Sequence, residues 1–83
     1  MKLYIDTSSN KQTAIHLGDK EMTKDSSVWR SQVALPMIAS LGKLSDITEI
    51  EYVGTGPSST GIRVGAAIAN ALGFALQIPV KVI

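Results

Sequence analysis

IEYVGTGPSSTGIRVGAAIANALGFALQIPV, residues 50–80, contains two changes of period that decide the class of fold. Ile47 to Thr55 reads as a strand, carried by Ile50, Tyr52 and Val53 and bounded by the breakers Gly54, Gly56 and Pro57. Ser59 or Thr60 can cap a helix that runs to about Leu76, where Ile78-Pro79 stops it, and Val80 to Ile83 then opens another strand. Strand, helix and strand in succession make a crossover unit, which requires a parallel strand pair with the helix laid over one face of the sheet.

The remaining elements lie upstream. Val33, Met37, Ile38, Leu41 and Leu44 share one helical face, predicting a first helix from Ser31 that ends at Gly42 and Ser45-Asp46. Pro36 either places the start of that helix about three residues earlier or kinks it. Trp29, just ahead of it, reads as a staple on Val33. Leu3 to Ile5 is a strand that ends in the turn-formers Asp6 to Asn10, and alternation resumes at Thr13, Ile15 and Leu17. Gly18-Asp19-Lys20 makes a second hairpin turn, with Glu21 to Lys24 a polar strand at the edge. The order is β-β-β-α-β-α-β: an α/β (α+β) chain with a mixed sheet, in the RNase H-like arrangement.

The 83 residues allow one domain, 1–83, with a light aliphatic core, since 45% are apolar and only 5% aromatic. A chain of this size buries about 60% of its unfolded surface, so a partner surface is expected on size alone. Eight scattered basic residues against seven acids leave +1, which offers no basic field for nucleic acid, so direct RNA binding is not expected. The absence of cysteine removes disulfide scaffolds, thiolate metal sites and thiol nucleophiles, and one histidine makes no metal site. His16, out of phase with Ile15 and Leu17, is expected to face solvent with no carboxylate to orient it. The chain opens directly into a strand pattern, so the expected location is cytoplasmic.

Val64 to Val80 is free of charge over seventeen residues. A membrane span needs about 20 apolar residues, and this run is shorter and interrupted by Asn70, Gln77 and Pro79, so no membrane is expected. Gly61, Gly65, Ala69 and Gly73 form a ridge at i+4 spacing, and glycine inside a helix costs about 1 kcal/mol relative to alanine, so a close neighbour is implied. That neighbour is the chain's own sheet or first helix, or a partner meeting the ridge together with Val33, Met37 and Leu41. The small core and the uncharged helix favour the partner, and Gly65→Leu or Gly73→Leu should then break a complex without unfolding the chain. Arg63 in the first turn opposes the helix dipole and is expected to hold a carboxylate, a carbonyl or a partner group.

Gly54 to Gly61 joins a strand to a helix start, where backbone N–H groups suit an anion. Neither the P-loop nor the dinucleotide fingerprint is satisfied, because Ile62-Arg63 stands where Lys-Ser/Thr belongs and the third glycine is missing. Asp6 with Thr7, Ser8 and Ser9 either holds a hydrated cation and a phosphate or forms a self-satisfied Asx or Ser/Thr turn.

Leu3-Tyr4-Ile5-Asp6-Thr7-Ser8, Leu35-Pro36-Met37-Ile38, Gly56-Pro57-Ser58-Ser59-Thr60-Gly61-Ile62-Arg63-Val64-Gly65 with Ala67 and Ala69, and Ala75-Leu76-Gln77-Ile78-Pro79 together resemble the TsaB (YeaZ) family. The resemblance runs from end to end and implies the actin-like ATPase fold, whose repeating unit is the RNase H-like subdomain. It also implies a non-catalytic paralogue and partner of TsaD, the subunit that transfers threonylcarbamoyl to the tRNA adenosine beside the anticodon, in a complex with the ATPase TsaE. Such proteins pair through the two helices as a four-helix bundle, with themselves or with TsaD. Asp6 to Ser9 would correspond to the phosphate-binding hairpin of the actin-like ATPases, usually degenerate in this family.

Two features depart from the family. Its loop commonly reads Gly-Pro-Gly-Ser-Phe-Thr-Gly, one residue longer than the loop here, and its members are more than twice as long, with a second subdomain. The chain is thus a piece of such a protein or a naturally short form. The expected role is a non-catalytic scaffold without cofactor that forms a homodimer in isolation. The alternative is a nucleotide-binding half-domain holding ATP or ADP with Mg through Asp6, Thr7, Ser8, Gly56, Ser59 and Thr60.

Overall fold

The computed structural model describes residues 1–25 and 30–83, with side chains of the first helix from Val33 onward. Trp29 and its expected staple lie outside the described residues. The elements are β1 (Lys2–Asp6), β2 (Gln12–Leu17), β3 (Lys20–Asp25), α1 (Arg30–Leu41), a 3-10 turn (Leu44–Asp46), β4 (Glu49–Tyr52), α2 (Ser59–Leu76) and β5 (Val80–Val82). The five strands line up as β3-β2-β1-β4-β5. The β1–β2 and β2–β3 pairs are antiparallel, and β1–β4 and β4–β5 are parallel. This is the RNase H-like subdomain of the actin-like fold, with the polar strand β3 at one edge as its composition required.

Alternation in the strands sets one face against the helices. Leu3 and Ile5 of β1, Thr13, Ile15 and Leu17 of β2, and Ile50 of β4 are fully buried. The β3–α1–β4 and β4–α2–β5 connections step in the same direction along the sheet, so crossovers of one hand put both helices on one face. There Ala34, Met37, Ile38 and Leu41 of α1 and Ile68 and Ala69 of α2 complete a single core, with Leu72 and Leu76 packed against it. The other face, bearing Lys2, Tyr4, His16 and Glu51, is covered by no described element.

Several element limits differ from the sequence reading. β4 covers only Glu49–Tyr52, because the glycine-bounded end turns out of the ladder before Thr55. α1 begins six residues ahead of Pro36 and continues through it. The exposed ring lies on the solvent side, where the carbonyl it leaves without an N–H can meet water. Leu44 leaves the helical face for the 3-10 turn and is exposed. Ser58, not Ser59 or Thr60, caps α2: its hydroxyl accepts from the Gly61 N–H at 3.0 Å.

The ridge is the largest correction. Gly61, Gly65, Ala69 and Gly73 are all buried inside the chain against its own sheet. A Cβ on Gly65 would collide with Thr7 Oγ1, and one on Gly73 would collide with Val80 Cγ2. Met37 and Leu41 are buried in the core and Val33 packs against it, so that face of α1 is also occupied. The close neighbour implied by the glycines is the sheet. α2 is long and apolar enough to cross a bilayer by length and composition, yet it lies along the sheet over this stripe.

Gln77 ends α2 in the left-handed region, with φ 58° and ψ 47°, and its backbone N–H donates to the carbonyls of Gly73 and Phe74. A side chain in that conformation is strained relative to glycine.

Two outcomes follow for stability. Gly65→Ala and Gly73→Ala should each destabilise the chain by about 1–3 kcal/mol in urea unfolding, because Thr7 or Val80 must shift. Gln77→Gly should stabilise it by about 0.5–1 kcal/mol, less whatever its Nε2–Phe74 carbonyl bond contributes.

Candidate functional site

Parallel strands β1 and β4 end side by side, and the carboxyl ends of such strands are where open α/β sheets place their ligands. Here the turn after β1 meets the loop before α2. Ser58 N–H donates to the Ser8 carbonyl at 2.9 Å. Gly56, at φ +148°, lies so close to Ser8 that a Cβ would fall 2.7 Å from the Ser8 Cβ. Only glycine fits a position with both that backbone angle and that approach. The two stretches singled out as phosphate candidates, Asp6 to Ser9 and Gly56 to Thr60, therefore form one cluster.

The polar groups of the cluster are engaged with one another. Asp6 Oδ1 accepts from the Ser8 N–H at 3.0 Å and from the Ser8 hydroxyl at 2.6 Å. The Thr7 hydroxyl donates to the Gly61 carbonyl. Thr7, Ser8 and Ser58 are buried, while Ser59 and Thr60 are exposed at the start of α2. The self-satisfied turn is thus the one observed: the side chains close the junction between sheet and helix and do not converge on an open space. Among the described residues no enclosed pocket opens, and no group of three or more His, Asp or Glu is placed to hold a metal.

A second surface lies outside the helical layer. With the ridge turned inward, α2 exposes Arg63, Ala67, Asn70, Ala71 and Phe74, at i, i+4, i+7, i+8 and i+11. Phe74 is 81% exposed, and Leu35 of the neighbouring α1 is 48% exposed beside exposed Pro36 and Ala39. Neither helix carries an acidic residue, and no charge occurs in Ser31–Gly42 or Val64–Val80. A helical layer with an aromatic ring outward and so little charge is built like a docking face. Of the residues expected at a partner interface, only Arg63 lies on it; Val33, Met37, Leu41, Gly61, Gly65, Ala69 and Gly73 face inward. Phe74 was missed, although its spacing from Arg63 and Ala67 is legible once the glycines are assigned to the sheet.

The open face of the sheet carries the charged pairs. Lys2 Nζ lies 3.0 Å from Glu51 Oε1, and this contact raises the Lys2 pKa above 10.5. Tyr4 stacks obliquely on His16 with ring centroids 5.0 Å apart. Its phenol is raised above 10.0 by burial first, then by Asp6 and Glu51. His16 Nε2 lies 3.6 Å from the exposed Glu21 Oε2, its cross-strand partner in the β2–β3 register. That pairing was hidden until the hairpin register was known.

No family model matches the chain, and no curated protein matches it. Among solved structures it is similar to YeaZ from Pseudomonas aeruginosa, with 25% identity and a TM-score of 0.75. It is also similar to an uncharacterized protein with similarity to peptidase YeaZ from Pseudomonas aeruginosa, with 27% identity and a TM-score of 0.77. Each match covers 99% of this chain and 42% of the other, so the chain spans about two fifths of the length of both.

The cluster and the open face each give a measurable outcome. Ser58→Ala should cost about 1 kcal/mol of unfolding free energy by removing the cap of α2. Lys2 and Tyr4 both bind their protons more tightly in the folded chain. The stability they contribute is therefore complete below pH 10 and is lost as pH rises through their folded values. Urea midpoints should fall as pH rises above 10, and Tyr4→Phe should lessen the fall.

Proposed function

We propose that this chain, which is TsaB-like (YeaZ-like) from end to end, is a non-catalytic scaffold for tRNA threonylcarbamoylation. It docks a TsaD-like transferase through the outer side of its two helices. A TsaE-like ATPase belongs to the same complex, the tRNA is reached only indirectly, and the work is cytoplasmic. The observation that carries this reading is Phe74, 81% exposed in the last turn of α2 on a helical surface with little charge. A ring left in water on a chain this short gains by entering a partner, because burying it is worth about 1.5–3 kcal/mol.

The chemistry of the loop cluster supports a role without catalysis. Asp6 accepts from Ser8, while Thr7 donates to the Gly61 carbonyl and Ser58 accepts from the Gly61 N–H, and these bonds join β1 to the start of α2. Nucleotide binding through Asp6 Oδ1 would compete with the two bonds that this oxygen accepts from Ser8. Scaffolding asks only that the joint hold the helices in place.

The test is co-elution with a TsaD-like subunit. Phe74→Asp should weaken the association by at least about thirtyfold while far-ultraviolet circular dichroism stays unchanged, because the side chain touches little of its own core. Ala71→Glu should act in the same direction. Unchanged association in both variants sinks the helical docking face. Saturable Mg-ATP heat in calorimetry, lost in Asp6→Ala, would favour the nucleotide-binding alternative instead.

A further inference from the structure

The two edges of the sheet are built differently. β3 carries Lys20, Glu21, Lys24 and Asp25 among its six residues, and charge at that density keeps an edge from pairing with another chain. β5 is Val80, Lys81 and Val82, with a single charge, and Val82 and the following Ile83 are 56% and 46% exposed. The main chain fixes which groups this edge offers. Ile50 N–H donates to the Pro79 carbonyl and Ile83 N–H donates to the Tyr52 carbonyl, so the odd-numbered residues turn their peptide groups toward β4. Val80 and Val82 therefore turn their N–H and C=O groups away from β4, and β5 is the last strand of the sheet.

We infer that the free edge of β5 fits the β5 strand of a second copy of this chain, and that the charge of Lys81 holds this pairing off. Opposed residues of an antiparallel pair either exchange both hydrogen bonds or exchange none. Setting Val80 opposite Val82 of the second copy, and Val82 opposite its Val80, meets that condition and pairs all three residues of the strand. The same register sets Lys81 opposite Lys81 of the second copy, at a non-hydrogen-bonded position where Cα atoms stand about 4.5 Å apart and like charges are destabilising. Glu51 is the neighbour of Lys81 in the β4–β5 register, but its carboxylate is held by Lys2 at 3.0 Å. Among the described residues Lys81 has no ion pair, so its charge is left to meet its own copy. Position and not exposure gives this lysine its role: it is the middle residue of the strand and lies on the symmetry axis of the pairing. The inference is independent of the helical docking face, because β5 would pair through its peptide groups.

The experiment is sedimentation equilibrium of the full chain at low ionic strength, where charge is least screened. Lys81→Thr should tighten self-association at least about fivefold, because it removes the opposed charges and brings in a β-branched residue. Val82→Pro added to Lys81→Thr should abolish that gain, since it removes an N–H on the outer edge and leaves the bonds to β4 in place. The chain has no cysteine, so Lys81→Cys supplies a single thiol, which mild oxidation should join to its copy faster than it joins Thr23→Cys in the charged β3 edge. The inference is overturned if Lys81→Thr associates no more tightly than the unmodified chain, if the gain survives Val82→Pro, or if the two cysteine variants cross-link at equal rates.

Discussion

The close approach of α2 to the sheet is the contact on which the rest of the molecule depends. Gly65 lies against Thr7, and Gly73 lies against Val80, each with too little space for a Cβ. An 18-residue helix so placed spans β1, β4 and β5, and a three-residue edge strand such as β5 would be marginal without it. Glycine inside a helix is unfavourable by about 1 kcal/mol relative to alanine, and close packing against the sheet offsets that cost. With Gly61, Gly65, Ala69 and Gly73 turned inward beside Ile68, Leu72 and Leu76, the rotation of α2 leaves Phe74 outward.

Charge is distributed by the same geometry. Among the described residues the helical layer shows little charge beyond Arg63, while the open face of the sheet carries Lys2, Glu51, His16 and Glu21 in pairs. These exposed pairs add little to stability, since solvent screens them, but they keep that face hydrated. Among the described residues the two sides of the molecule therefore differ in chemistry, with apolar surface around Phe74 on the helical side and polar pairs on the open face of the sheet.

The loop cluster stands where open sheets place their ligands, and its groups bond across the junction of strand and helix. The carboxyl ends of β1 and β4 bring Asp6, Ser8, Gly56 and Ser58 together, as that position in an open sheet predicts. The groups then close on one another, so the cluster ties the first strand to the start of α2.

Element type and order were legible from residues alone, because the switches between periods of 2 and 3.6 and the Gly and Pro breakers are local signals. The polar composition of Glu21 to Lys24 likewise located the edge strand. Some boundaries were not legible: three consecutive hydroxyl residues, Ser58, Ser59 and Thr60, are equivalent caps until the loop path selects the one whose oxygen reaches Gly61. The ridge at Gly61, Gly65, Ala69 and Gly73 was visible as a demand for a close neighbour, but sequence spacing says nothing of which neighbour meets it. The packing decided that the neighbour is the chain's own sheet, since two crossovers stepping the same way put α2 flat on β1, β4 and β5. The same packing turned Phe74 outward, a fact that depends on helix rotation about its axis and so belongs to the tertiary structure alone.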